Sequence, residues 1–277
     1  MNMKPDRPTL GILIRFSNSA ETLPEVLSAL ARQTVLPDKI LGIANQSRDA
    51  SHRILREAGA DIAEWSEPYH HSKVLNFGMS RLETDLVLVL SSHTVLESED
   101  ALAKLVACFE DPDVSCASAK WDRDSYYSDC IDWAELQRKG LRFGSIYSNS
   151  MGMVRRSAWH RTNFDESIDT SEDYAWAIER LRRGDRCARV DFRFSHLRGG
   201  AARDREFADI VFQLAYRYCL PVAWLGPIGS IKFLSLAWLK RSRRNEWKPV
   251  KERFFSWLSA AISMEWRQVF DLRERIG

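Results

Sequence analysis

Three places in this chain gather residues able to do chemistry. The first is Glu172-Asp173, two adjacent carboxylates at the head of a segment whose apolar residues Trp176, Ile178 and Leu181 have helical spacing. Capping and the helix dipole favour acidic side chains at such a position in any protein, and a capped helix start is also a rigid seat for a general base. The second is Ser91-Ser92-His93, where the apolar run Leu86 to Leu90 stops abruptly. A buried run closed by small polar residues reads as a strand delivering its last side chains to the carboxyl edge of a sheet, the edge where open α/β proteins bind ligands. Serine there can hydrogen-bond a ribose hydroxyl, and histidine can take a metal as the neutral imidazole or meet a phosphate oxygen when protonated. The third is His196 in VDFRFSHLRGG, expected to end a strand over Arg189 to Phe194. Lys73 and Asn76, at the start of a helix, have the side chains and the helix terminus to hold phosphate, while His70 and His71 before them read as exposed loop residues.

The elements that must position these groups alternate. LGILI (Leu10 to Ile14) is a strand, Glu21 to Gln33 a helix through Leu23, Val26, Leu27 and Leu30, and KILGIA (Lys39 to Ala44) the next strand. Ser51 to Ala58 forms a short helix, ADIAEW an edge segment, Lys73 to Leu82 a helix, and the Leu86 strand follows. Ala101 to Phe109 is helical up to the turn signal DPD, and VSCASAKW is a further strand. Strands alternating with helices of this length imply an α/β fold with a mostly parallel, doubly wound sheet.

The 277 residues, 45% of them hydrophobic, suffice for one α/β domain of about 200 residues plus an appendage. We expect a catalytic domain over 1–203 and a helical extension over 204–277. The extension holds five of the ten tryptophans and the basic cluster KRSRR from Lys240 to Arg244. Pro221, Gly226, Pro227, Gly229 and Lys232 break the apolar stretch Leu220 to Leu239, which argues against a spanning helix. Tryptophans beside a basic cluster suit either an element lying on a membrane surface through 220–277 or a helical cap on the catalytic domain. Five scattered cysteines without C-x-x-C spacing indicate neither a disulfide framework nor a structural zinc site, and the N-terminus has no apolar stretch of a signal peptide. A cytoplasmic location follows, at the inner face of a membrane if the extension binds one. The formal charge of +2 points neither way on nucleic acid, and no nucleic-acid partner is expected.

The order of segments resembles family 2 glycosyltransferases of the GT-A fold over roughly Pro8 to Gly200. RFSNSAETLPEVLSALARQ resembles that family's first loop and helix, with Asn18 at its usual asparagine, and NQSRD (Asn45 to Asp49) its loop after the second strand. HHSKVLNFGMS resembles the helix start whose basic residue and asparagine face the nucleotide, and Ser148 to Gly184, with Phe-Asp-Glu and then Glu-Asp, resembles the acceptor-side half. The resemblance implies that Asp173 is the general base for an acceptor hydroxyl, with Glu172 orienting the acceptor or tuning the base by like-charge proximity. It implies a donor site of Arg15, Asn18, Asn45, Lys73, Asn76, Ser91 and His93. Acceptor contacts are expected from Asn149 and Trp121, with Trp133, Tyr126 and Tyr127 as further platform or core residues.

Two departures stand out. Ala44 occupies the place of an aspartate that pairs with the base in that family, with Asn45 one residue along, and Ser91-Ser92-His93 replaces the Asp-x-Asp motif. His93 and His196 together are candidate metal ligands, and imidazole nitrogens favour manganese over magnesium. The alternative is a metal-free site in which His93, Lys73 and Arg198 or Arg203 neutralise the diphosphate. Arg155 and Arg156 read equally as structural charges or diphosphate contacts. The resulting expectation is an inverting enzyme that moves a single sugar from a nucleotide-diphosphate sugar to a glycan or lipid-linked acceptor in surface polysaccharide biosynthesis. A non-catalytic GT-A-like binding subunit is the alternative from another class. A nucleotidyltransferase would need a glycine-rich loop after the first strand, and RFSNSAETL has no glycine.

Overall fold

The structure is a computed structural model, and it describes residues 7–120, 126–142, 146–168 and 171–198, together with Leu214, Arg217, Tyr218 and Leu220. The expectations for Trp121, Arg203 and the extension over 220–277 therefore lie outside the described residues, Leu220 apart. The chain divides into two compact units, Met1–Trp133 with Gly144–Ala201, and Ala134–Phe143 with Ala202–Gly277. The second unit thus takes in a segment, Ala134–Phe143, that no break in composition marks and that the sequence reading left in the catalytic domain. Its described part contains most of helix α5 (Trp133–Lys139).

The first unit is an eight-stranded sheet in the order β3-β2-β1-β4-β8-β6-β9-β7, flanked by helices. Strands β1 (Leu10–Phe16), β2 (Lys39–Asn45), β3 (Asp61–Trp65) and β4 (Leu86–Ser91) run parallel. Leu10, Ile12, Leu13, Ile14 and every residue from Leu86 to Leu90 are fully buried, as continuous apolar runs in a sheet covered on both faces should be. Between strands lie α1 (Leu23–Ala31), α2 (Ser51–Glu57) and α3 (His71–Met79). Helix α1 starts two residues later than its apolar spacing suggests, with Pro24 in the first turn, where a missing N–H costs nothing. Helix α4 (Ala101–Ala107) gives way to a 3₁₀ turn at Cys108–Glu110 before β6 (Val114–Ala119).

Two features depart from the sequence reading. Strand β8 (Met151–Arg155) runs antiparallel between β4 and β6, unannounced in the sequence because its short apolar run starts among serines and contains Gly152. The expected strand Arg189 to Phe194 is instead two strands. β9 (Arg186–Val190) pairs with β6 and with β7 (Cys130–Ile131) in the main sheet. The chain then leaves that sheet, and β10 (Phe194–His196) pairs antiparallel with β5 (Thr94–Leu96), His196 opposite Thr94. Helices α6 (Arg156–Arg161) and α7 (Glu172–Arg182) lie between β8 and β9.

Gly152 is fixed by space rather than by its backbone angle. A Cβ there would collide with the Ser148 carbonyl and the Tyr147 ring, so the segment Tyr147 to Ser150 can fold tightly back over the start of β8. Gly152→Ala should therefore lower unfolding free energy by about 1–3 kcal/mol, read as a lower midpoint in urea. An unchanged midpoint would mean that this turn yields freely.

Candidate active site

The carboxyl ends of β1 and β4 deliver Arg15 and Ser91 side by side as register partners. The Ser91 N–H donates to the Ser150 carbonyl at 3.0 Å, which draws the segment before β8 to the same edge. Asn149, in that segment, is 2% exposed and forms a four-way junction. Its backbone N–H donates to Asp173 Oδ2 (3.0 Å) and its Nδ2 to Glu172 Oε1 (3.3 Å). Its Oδ1 accepts from the Tyr147 hydroxyl (2.9 Å), and its carbonyl accepts from Arg15 Nη2 (3.3 Å). The expected acceptor contact is thus a buried scaffold residue, because four of its polar groups are spent inside the protein.

Glu172 and Asp173 occupy the first turn of α7, behind Ser171 in the left-handed region at φ 59°. Ser171 makes no side-chain cap; Asp173 Oδ1 instead accepts the Tyr174 N–H at 2.8 Å. Burial, and then the Glu172 carboxylate, push Asp173 up to about 7, against the pull of the Asn149 and Tyr174 N–H groups and of Arg15. A carboxylate poised near neutrality can accept a proton from a hydroxyl and release it again, which is what a general base must do.

Arg15 does not face a donor pocket alone. Its Nη1 donates to the Tyr69 hydroxyl (3.3 Å) and lies 3.3 Å from His71 Nδ1, while Tyr69 and His71 are themselves 3.2 Å apart. Tyr69 and His71 are site residues that sequence reasoning missed, having taken His71 for an exposed loop residue; it opens α3, half-buried. Burial opposes the Arg15 charge, but Tyr69, Glu172 and Asp173 outweigh it and hold the guanidinium above its ordinary value.

Asn76 is likewise reassigned. Its Nδ2 donates to the Phe164 carbonyl and to Glu166 Oε1, both at 2.9 Å, and its Oδ1 accepts from Trp159 Nε1 and the Phe164 N–H. A side-chain amide has two donors and two lone pairs, so nothing remains for a nucleotide. Asn76 fastens the Phe164-Asp165-Glu166 turn to α3, and Ser72 helps by donating to the Asp165 carbonyl (2.8 Å). Lys73 is exposed on the first turn of the same helix. Arg155 bonds through Nε and Nη2 to the carbonyls of Val114, Phe109 and Asp111, and pairs in register with Leu86 at the far end of β4. Its role is structural, as is that of Tyr127, buried at 2% exposure.

Asn18 (φ 46°) and Gln46 (φ 50°) are held in left-handed conformations in the loops after β1 and β2. Asn18 Oδ1 accepts the Arg48 N–H, its own N–H donates to Ser47 Oγ, and its carbonyl accepts from Arg198. Behind these loops Asp49 takes hydrogen bonds from Ala20, Ser47 and Ser51; burial opposes its charge, yet those bonds hold it at about 2. Ser92 is buried and structural, its Oγ 2.8 Å from Ser19 Oγ and its carbonyl accepting from Thr22. Asn45 is half-buried at the end of β2, beside that loop.

His93 and His196 come together across the small sheet, ring centroids 5.9 Å apart and planes tilted by 50°. Burial, then His196, Arg198 and Arg15, push the His93 imidazole down, and burial pushes His196 down. Both are thus held as neutral imidazoles, the metal-binding form. Thr94 Oγ1 lies 2.9 Å from His196 Nδ1, and the tautomer donating that hydrogen bond leaves Nε2 its lone pair. The pair fits a divalent ion in donor chemistry. Among the described residues no group of three or more His, Cys, Asp and Glu side chains could hold one, so oxygen ligands would have to come from substrate and water.

The mostly parallel eight-stranded sheet flanked by helices is a GT-A fold. The family model described as glycosyl transferase family 2 matches residues 12–166, more than half of the chain, and the chain belongs to that family. It is 26% identical over 208 residues to the O-antigen chain rhamnosyltransferase RfbN of Salmonella typhimurium, covering 67% of this chain and 66% of the relative, so it spans about two thirds of that relative's length. Its fold is similar to that of the mannosyltransferase PcManGT from Pyrobaculum calidifontis, solved with GDP-Man and Mn2+, at a TM-score of 0.64, 16% identity and coverage of 94% and 88% of the two chains. It is also similar to glucosyl-3-phosphoglycerate synthase from Mycobacterium tuberculosis, solved with Mn2+, UDP and phosphoglyceric acid, at a TM-score of 0.58, 15% identity and coverage of 79% and 81%.

The raised Asp173 makes stability depend on pH. The folded state keeps this proton between about pH 4 and pH 7, where the unfolded chain has released it, so this group's contribution falls as pH rises through that window. His93 and His196, pushed down, act in the opposite direction, but they cancel when two variants are compared. The melting temperature of Asp173→Asn minus that of the wild type should increase from pH 5 and level off above about pH 7. A flat difference would show that Asp173 ionises as an ordinary aspartate.

Proposed function

We propose that the protein is an inverting glycosyltransferase that moves a single sugar from a nucleotide-diphosphate sugar to a hydroxyl of a glycan or lipid-linked acceptor in surface polysaccharide biosynthesis. The observation that carries this reading is the Glu172-Asp173 pair on a helix start fixed by Asn149, which binds both carboxylates. Asp173 takes the acceptor hydroxyl's proton as the oxygen attacks the anomeric carbon, and Glu172 orients the acceptor. A single displacement inverts the anomeric configuration. Ser91, Asn18 and Asn45 line the nucleotide side, and Lys73 at the head of α3 meets the diphosphate. The name of the RfbN relative supports a surface-polysaccharide setting, and a membrane-held acceptor suits the basic, tryptophan-rich segment 220–277 working at the cytoplasmic face.

His93 and His196 are the residues that would hold a divalent metal. When bound there, such an ion, manganese rather than magnesium on imidazole donors, would neutralise charge on the leaving diphosphate. The Mn2+ in both similar structures supports this reading. His93 sits at the end of β4 and His196 is ordered by Thr94, so the protein's part is to hold both rings neutral and oriented.

Asp173→Asn should reduce transfer by about 10²–10⁴-fold while thermal stabilisation by the donor, chosen from a panel of UDP-, GDP- and dTDP-sugars, persists. The wild-type product should carry the anomeric configuration opposite to the donor's. Undiminished turnover would remove Asp173 from the base role. Separately, Mn2+ should add to nucleoside-diphosphate stabilisation in the wild type and fail to do so in His93→Ala and His196→Ala. Activity that survives EDTA would instead assign charge neutralisation to Lys73 and Arg198.

A further inference from the structure

Arg15 carries a charge on an otherwise buried strand, where it alone is half-buried. It is the sixth of the seven residues of β1, between Ile43 of β2 and Ser91 of β4, at a position whose neighbours Ile14 and Phe16 are buried. Its Nε is buried with no hydrogen-bond partner, whereas Arg155 on the same sheet spends Nε and Nη2 on three carbonyls. What Arg15 does hold is the Asn149 carbonyl, whose own residue presents its backbone N–H to Asp173 and its amide to Glu172.

We propose that Arg15 is a positioning residue for the acceptor-side base: by gripping the Asn149 carbonyl it aims the Asn149 N–H at Asp173 and sets a permanent positive charge against the Glu172-Asp173 pair. The inference rests on the reading of Asp173 as the base. The groups facing Asp173 are few. Glu172 and the Tyr174 N–H come from α7, Tyr147 and Asn149 from the segment before β8, and Arg15 from β1. Tyr69 and His71 stand behind Arg15 at the head of α3, and His93 feels Arg15 from the end of β4. Two adjacent carboxylates in this enclosure repel each other, and Arg15 is the cation among these groups that opposes the repulsion. Without it the base would hold its proton at neutral pH and attack would slow.

The substrate-free test is the pH dependence of the stability gap between each background and its Asp173→Asn counterpart. In the wild type that gap levels off above about pH 7; in Arg15→Gln the levelling should move up by about one pH unit or more. Arg15→Lys, which keeps the charge, should leave it near the wild-type position. Should Arg15→Gln not fold, Arg15→Met supplies a second neutral side chain of similar length. In turnover the same shift should appear on the acid limb of kcat/KM. A wild-type gap that never changes with pH would defeat the reading of Asp173 itself. A wild-type gap that levels near pH 7 and stays there in the neutral variants would defeat the role given to Arg15 alone.

Discussion

The site depends on one constraint: two adjacent carboxylates, Glu172 buried and Asp173 half-buried, stand at the start of α7, and their mutual repulsion must be contained. Asn149 does this with four polar groups at once, giving an N–H to Asp173 and its amide to Glu172 while Tyr147 and Arg15 hold it from behind. Glycine at position 152 is what lets that segment turn tightly enough to present Asn149 there. The left-handed Ser171 then turns the chain into the helix immediately before the pair. Strain of this kind is kept where surrounding structure over-determines it, as the packed first turn of α7 does.

The carboxyl end of β4 is organised by a different logic. Where an acidic motif would sit at the end of β4, the chain has Ser91, a wholly structural Ser92, and His93. His93 gains a partner because the chain leaves the main sheet after Val190 and returns as β10 against β5. Carboxylate chemistry is thus concentrated on one side of the edge and imidazole chemistry on the other, with Arg15 electrostatically linked to both. Burial thus acts on Asp173 and on the imidazole pair alike, favouring the neutral form of each.

Much of this was legible in the sequence, and what was not has physical reasons. Apolar runs such as Leu86 to Leu90 announced the central strands because strands buried on both faces need no alternation. His93 and His196 both read as strand-end residues, and the structure sets their rings 5.9 Å apart, although the strand expected before His196 is two strands. Asn149 and Asn76 read as ligand contacts because an asparagine beside a motif looks the same in sequence whether its amide meets substrate or backbone. Only the count of filled donors and acceptors distinguishes the two. Tyr69 and His71 were missed because their role comes from Arg15, 54 and 56 residues away, a contact that no local pattern encodes. Strand β8 escaped because five residues with a glycine carry too weak a period.

The most direct test of this account is the ionisation of Asp173 in the intact protein, followed by carboxyl ¹³C NMR with the Asp173→Asn variant to assign the resonance. The account predicts a titration at about pH 7. A resonance already fully ionised at pH 5 would contradict it, because Asp173 would then not be held near neutrality.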